Sequence, residues 1–144
     1  MKILLLGKNG QVGWELQRAL QPLGDVVALD RAADENNLIG DLENFDQIQY
    51  TIEKVKPDVV VNAAAYTAVD KAESDQNKAY LINHLAVKKL AELCKLQNCL
   101  LIHYSTDYVF SGEGEKAWSE NDLTDPVNFY GITKRLGEVA LEQS

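Results

Sequence analysis

The chain has 144 residues, 46% of them hydrophobic and 25% charged, with a formal net charge of −8 at pH 7. This is the composition of one ordinary soluble globular domain, long enough to bury a core. The acidic balance argues against nucleic acid as a partner, and no apolar run approaches the roughly 20 residues of a membrane-spanning helix.

Residues 2–6 form a continuous apolar run, the pattern of a strand covered on both faces. Gly7, Gly10 and Gly13 follow at once, and Val12, Leu16 and Leu20 then recur every four residues as a helical stripe that stops near Pro22 and Gly24. Val26–Leu29 reads as a second strand closed by Asp30. Residues 31–40 read as a loop, with a short strand at Leu38–Ile39 before Asp41. Phe45, Ile48, Ile52 and Val55 share one helical face, and Pro57 ends that helix. Asp58–Val61 is a third strand, running into Asn62–Ala63–Ala64–Ala65. One long amphipathic helix is expected from about Asp75 to Gln97, with Ala79, Ile82, Ala86, Leu90 and Leu93 inward. Cys99–Tyr104 is the next strand, ending at Ser105–Thr106–Asp107. Ser111–Asp125 reads as a mobile polar surface loop, and Asp125–Pro126 precedes the helix that carries Tyr130 and Lys134.

Alternating strands and helices predict an α/β fold, a doubly wound parallel sheet of Rossmann type with its ligand crevice at the carboxyl ends of the strands. The polar clusters Gly7–Gly13, Asp30, Asp41, Asn62 and Ser105–Asp107 all fall at such ends. Met1–Leu6 shows no signal-peptide pattern, so a cytoplasmic protein is expected. Cys94 and Cys99 have neither CxxC spacing nor a histidine cluster beside them and read as free, buried thiols of a reducing compartment. No metal site is expected.

The glycine turn has the logic of a pyrophosphate cradle. Gly7 turns the chain out of the strand, Gly10 admits close approach of a phosphate, and Gly13 lets helix and sheet pack. Its GxxGxxG spacing differs from the commoner GxGxxG. Asp30 is placed to accept hydrogen bonds from an adenosine ribose, which suits NAD. Arg31 beside it suits the 2′-phosphate of NADP, so both NADH and NADPH stay open. Tyr130 and Lys134 stand four apart on one helical face, where an ammonium would stabilise a phenolate and bring the tyrosine towards acid–base work at neutral pH. A hydroxyl at Ser105–Thr106 would polarise the carbonyl oxygen that Tyr130 protonates.

The segments Gly7–Leu16, Asn62–Glu73, Tyr104–Phe110 and Tyr130–Lys134 together resemble the extended short-chain dehydrogenase/reductase superfamily and, within it, the dTDP-4-dehydrorhamnose reductase family. The resemblance runs along essentially the whole chain. It implies NADH- or NADPH-dependent reduction of the C4 ketone of dTDP-4-dehydro-L-rhamnose to dTDP-L-rhamnose, for cell-surface polysaccharide. By position it makes Thr106, Tyr130 and Lys134 a catalytic triad, with Asp107 beside Thr106 and Tyr130 at the substrate. It gives Gly10, Gln11 and Val12, within the turn from Gly7 to Gly13, to the pyrophosphate, and Asp30, with Arg31 beside it, to the adenosine ribose. Asp41 and Leu42 go to the adenine edge, and Ala63, Ala64 and Ala65 to the nicotinamide ribose, which Lys134 and Tyr130 also reach. Tyr66 and Thr67 lie nearby, and Val69, Asp70 and Lys71 are weaker candidates.

A nucleotide-sugar epimerase or dehydratase of the same superfamily, and a non-catalytic cofactor-binding subunit, are the competing readings. The family runs to roughly twice this length. The expectation is therefore a Rossmann domain over 1–144, truncated before its last strands, with the substrate domain absent. Its edge at Leu100–Leu101–Ile102 would then template self-association.

Overall fold

The structure, a computed structural model, describes residues 1–144. Its strands are β1 (Lys2–Leu6), β2 (Asp25–Leu29), β3 (Val59–Asn62) and β4 (Leu100–His103), and its helices are α1 (Gln11–Ala19), α2 (Phe45–Val55), α3 (Val69–Ala72), α4 (Gln76–Tyr80), α5 (Ala86–Gln97) and α6 (Phe129–Glu142). The residues gather into two compact units, one of residues 1–65, 89–104 and 144, the other of residues 66–88 and 105–143.

The first unit holds the whole sheet. Strand order is β2-β1-β3-β4 and every pairing is parallel. The strands form because β1 and β3 are nearly pure apolar runs, and Ile3–Leu6, Val60 and Val61 are buried. Each such side chain contributes roughly 1.5–3 kcal/mol. The two-residue period sorts them: Ile3, Leu5 and Val61 cluster on one face with Leu16 of α1 and Leu20, which caps that helix. Val12, expected on that stripe, is 45% exposed, because it lies in the first turn of α1, beyond the end of the strand. Helix α2 begins where the Asn44 carboxamide accepts the Gln47 N–H (3.1 Å) and ends on Lys56 in a left-handed conformation (φ 49), just before Pro57.

No strand forms at Leu38–Ile39. The Asp34 carboxylate accepts the Leu38 N–H (2.8 Å), and the Thr51 hydroxyl donates to the Ile39 carbonyl (2.9 Å), so side chains take the backbone groups a ladder would use. Strand β4 is an edge, as expected from the strand order, and Leu100 and Ile102 are 59% and 41% exposed.

The second unit is helical. The expected helix from Asp75 to Gln97 is interrupted: α4 passes into a π-helical turn at Leu81–Leu85 before α5 begins. The turn is held by Asn83, which is 1% exposed. Its carboxamide accepts the Tyr66 N–H (2.9 Å) and donates to the Tyr66 carbonyl (3.0 Å) and the Thr133 hydroxyl (3.1 Å). A Cβ on Gly137 of α6 would stand 2.4 Å from the Asn83 carbonyl, so only glycine lets that helix approach the widened turn. Tyr66, Ala72, Ala79 and Tyr130 form this unit's core. In the segment expected as a surface loop, Trp118 stacks on Phe110 (centroids 4.8 Å apart, planes 3° from parallel). No helix is long and apolar enough to cross a membrane.

Candidate active site

In the first unit the register brings the strand ends level: Leu6 pairs with Leu29 and Asn62, and Asn62 with His103. Gly7, Asp30 and Ala63 each follow one of these ends and so gather at one edge of the sheet. The turn is closed by the Gly7 and Lys8 N–H groups on the Leu29 carbonyl (3.0 and 3.1 Å) and by the Gly10 N–H on the Gly7 carbonyl (3.1 Å).

Gly7 and Gly10 are glycine for different reasons. Gly7 has φ 85, and a Cβ there would lie 2.7 Å from the Ala64 N, so the fold itself requires glycine. Gly10 has ordinary extended backbone, and a Cβ would stand 3.5 Å from its nearest neighbour, the Gly7 carbonyl oxygen. Nothing in the protein forbids a side chain at Gly10. Its absence leaves the start of α1 open, and that helix has no side-chain cap. The N–H groups of Gln11, Val12 and Gly13 are therefore available to an anion, reinforced by the helix dipole. Gly13 is buried, and its missing Cβ lets α1 sit against the Gly7 carbonyl.

Around this cradle, one Asp30 carboxylate oxygen accepts the Arg31 N–H (2.7 Å), and Arg31 is exposed. Asp41 bonds the Glu43 N–H (3.1 Å). Leu42 is 4% exposed, so it meets the core with its side chain and offers a ligand only backbone. Ala63, Ala64 and Ala65 are half-buried. Buried Asn62 holds their turn, with its Oδ1 accepting the Ala64 N–H (3.1 Å) and its Nδ2 lying 3.1 Å from His103 Nδ1. These groups fit a dinucleotide phosphate: a row of N–H donors, no side chain over them, and a carboxylate with a cation beside it.

In the second unit Asn128 caps α6, accepting the Gly131 N–H (2.7 Å), which sets Tyr130 and Lys134 in its first two turns. A Cβ on Gly131 would lie 2.2 Å from the Tyr108 carbonyl oxygen, so glycine seats α6 on the single 3-10 turn at Asp107–Val109. Thr106 caps that turn, accepting the Tyr108 N–H (3.2 Å) and donating to the Asp107 carboxylate (3.2 Å). Its hydroxyl also engages the Tyr130 phenol, and the Tyr108 ring meets that of Tyr130 edge-on at 5.6 Å. Thr106 and Tyr130 thus come together. Ser105 turns away and donates to the Glu138 carboxylate.

Burial raises the pKa of the Tyr130 phenol. The Thr106 hydrogen bond lowers it in part, and the charge of Asp107 raises it further. The sequence reading has an ammonium at Lys134 bringing this pKa down. Lys134 is only 2% exposed, and burial lowers its own pKa to about 8, opposed by Glu138, which leaves it mostly charged at neutral pH, while burial of the phenol keeps Tyr130 above its ordinary value. At neutral pH the phenol keeps its proton, as an acid must before it donates one. The sequence reading also passed over Asn83, whose network through Thr133 to the Tyr130 carbonyl (2.8 Å) fixes the carrier helix. An asparagine inside an otherwise apolar helical stripe was the available signal.

The family model described as the RmlD substrate binding domain matches residues 1–144. The dTDP-4-dehydrorhamnose reductase of Shigella flexneri is 52% identical over 143 residues, covering 99% of this chain and 47% of that protein. The corresponding protein of Burkholderia thailandensis is 52% identical over 144 residues, covering 100% and 46%. Among solved structures, the dTDP-4-dehydrorhamnose reductase of Bacillus anthracis in complex with NADP superimposes with a TM-score of 0.89 at 33% identity, covering 99% of this chain and 49% of that one. The chain thus spans about half the length of the curated relatives it matches.

Proposed function

The chain belongs to the RmlD substrate binding domain family, and from that premise we propose that it supplies the cofactor cradle and the proton donor of a nucleotide-sugar ketoreductase. The reaction is reduction of the C4 ketone of dTDP-4-dehydro-L-rhamnose to dTDP-L-rhamnose, with NADPH or NADH. The observation that carries this reading is the buried, protonated Tyr130 phenol held by the Thr106 hydroxyl, one turn before buried Lys134. Sequence identity of 52% to named reductases supports the substrate, and the NADP complex of a 33%-identical relative supports the cofactor.

The bound nicotinamide supplies the hydride. The backbone N–H groups at the start of α1 hold the pyrophosphate, and Asp30 and Arg31 read the adenosine ribose. The amide edges of Asp41 and Leu42 border the adenine, and Ala63–Ala65 border the nicotinamide ribose. Thr106 fixes the ketone oxygen by hydrogen bonding, and Tyr130 delivers its phenolic proton to that oxygen as negative charge develops. Lys134 holds ribose hydroxyls and, when charged, steadies the phenolate left behind. Asp107 completes the sugar-facing edge. A cytoplasmic location belongs to the same reading.

The test is oxidation of NADPH or NADH by the whole protein, followed at the nicotinamide absorbance with dTDP-4-dehydro-L-rhamnose as substrate and dTDP-L-rhamnose as product. Cofactor binding without turnover of this ketone sinks the substrate assignment. Exposed Leu100 and Ile102 on the β4 edge further predict that the 144-residue chain self-associates, which light scattering reads directly. A monomer at all concentrations overturns that.

A further inference from the structure

We propose that Cys94 and Cys99 form a dithiol site that takes low-molecular-weight disulfides as its reaction partner and closes to an intramolecular disulfide. The site follows from how α5 ends. Asn98 adopts a left-handed conformation (φ 54), its N–H reaches the Lys95 carbonyl (3.3 Å), and the Cys99 N–H reaches the Cys94 carbonyl (2.9 Å). This pair of bonds is the Schellman ending of a helix, which brings together the side chains of the two residues joined by the bond that spans six residues, here Cys94 and Cys99, ordinarily as an apolar contact. Here those two residues are both cysteine, and both are free thiols. The backbone that closes the helix also sets the two sulfurs side by side.

The two thiols differ in access. Cys94 is 2% exposed, and burial together with the neighbouring Cys99 thiol pushes its pKa up, so by itself it is a poor nucleophile. Cys99 is half-buried and is the more accessible residue of the pair, where the sequence pattern predicts both thiols buried. The order of events follows. The Cys99 thiolate attacks a disulfide RSSR, forming a Cys99–S–S–R bond and releasing one RS⁻, which takes up a proton. Cys94 then gives up its proton, attacks the Cys99 sulfur and expels the second R group as RSH. Two cysteine thiols are oxidised and one RSSR is reduced to two RSH. The bond locks the junction where α5 feeds edge strand β4, one residue before Leu100.

Oxidised glutathione with intact-protein mass spectrometry tests this. The folded parent is expected to show a transient single glutathione adduct that gives way to a species lighter than the reduced chain by two hydrogens, with no free thiol left after unfolding. Cys94→Ala is expected to stop at one glutathione on Cys99, and Cys99→Ala to stay unmodified while folded. Circular dichroism establishes that each variant is folded. A stable single or double adduct on the parent overturns the proposal, as does a Cys99-linked dimer, or no reaction when the unfolded parent reacts fully.

Discussion

The turn at Gly7–Gly13 presents backbone to its surroundings, whereas the start of α6 presents side chains. In the first, one glycine is demanded by the protein and another, Gly10, by nothing the protein itself contains. In the second, two buried polar side chains, Tyr130 and Lys134, sit at 9% and 2% exposure, and Thr106, Asn128 and the Asn83–Thr133 pair hold their helix in place. A backbone surface binds any phosphate of the right shape and is indifferent to pH. A buried phenol and amine carry chemistry and depend on single atoms and on protonation. The two regions should therefore fail in different ways when altered.

The sharpest separation is at Tyr130. Tyr130→Phe keeps the ring against Tyr108 and removes only the phenolic oxygen, so kcat of the whole protein should fall by roughly 10²–10⁴-fold, the usual worth of a placed general acid. NADPH affinity, measured by fluorescence titration, should change little, because the lost interaction matures in the transition state. An equal loss of affinity and turnover would mean that α6 is a binding surface like the glycine turn, and the contrast would collapse.

The next effect contrasts two glycines. Gly7→Ala forces a Cβ to 2.7 Å from the Ala64 N at positive φ and should lower stability by roughly 2–5 kcal/mol. Gly10→Ala meets only ordinary van der Waals contact and should cost less than about 1 kcal/mol. Gly10→Val should then abolish the fluorescence enhancement of NADPH while the circular dichroism spectrum stays native. Urea melts of all three compare them directly. A Gly10→Val chain that binds cofactor like the parent removes the anion site from the start of α1.

Lys134 gives the side-chain region a pH signature. Unfolded, its ammonium titrates at its ordinary 10.5; folded, burial brings it to about 8. The unfolded chain holds more protons between those values, so the stability contributed through this group rises with pH from about 8 to 10.5 and is lost as pH falls through 8. The change is on the order of 3 kcal/mol. Lys134→Met should be the more stable chain at pH 7 and should lose most of its advantage by pH 10.5. Parallel denaturation curves for parent and variant, with a constant gap across that window, would show that the amine is not desolvated.

How much of this could be read from the sequence depends on where each feature gets its energy. The four strands were legible because Lys2–Leu6, Val26–Leu29, Asp58–Val61 and Cys99–Tyr104 are apolar runs bounded by polar residues, and such burial is local in pattern. Gly7–Gly13 was legible because a strand, a turn and a helix meet there. The π turn at Leu81–Leu85 was not, since it is set by Asn83 bonding to Tyr66 and Thr133, 17 and 50 residues away in sequence. The raised pKa of Tyr130 was not legible for a similar reason: a spacing of four places Lys134 on its face but says nothing of the burial that raises the phenol and lowers the amine. The Leu38–Ile39 strand failed because Asp34 and Thr51 took its hydrogen bonds.

The smallest expected effect lies where the first region does use side chains. Backbone N–H groups at the start of α1 hold a pyrophosphate that NADH and NADPH share, so they cannot tell the two apart. That choice falls to Asp30 and Arg31. Asp30 spends one oxygen on the Arg31 N–H (2.7 Å), which leaves the other to a ribose hydroxyl, and exposed Arg31 is free to approach a 2′-phosphate. Arg31→Ala should weaken NADPH by roughly tenfold, the order of one charge-assisted contact, and leave NADH within about twofold. Asp30→Asn should do the reverse, weakening NADH more than NADPH, since the phosphate no longer faces a carboxylate. Titration calorimetry with both cofactors on both variants decides the point. If Arg31→Ala lowers both affinities alike, its guanidinium acts on the shared pyrophosphate, as the backbone does, and takes no part in the choice between the two cofactors.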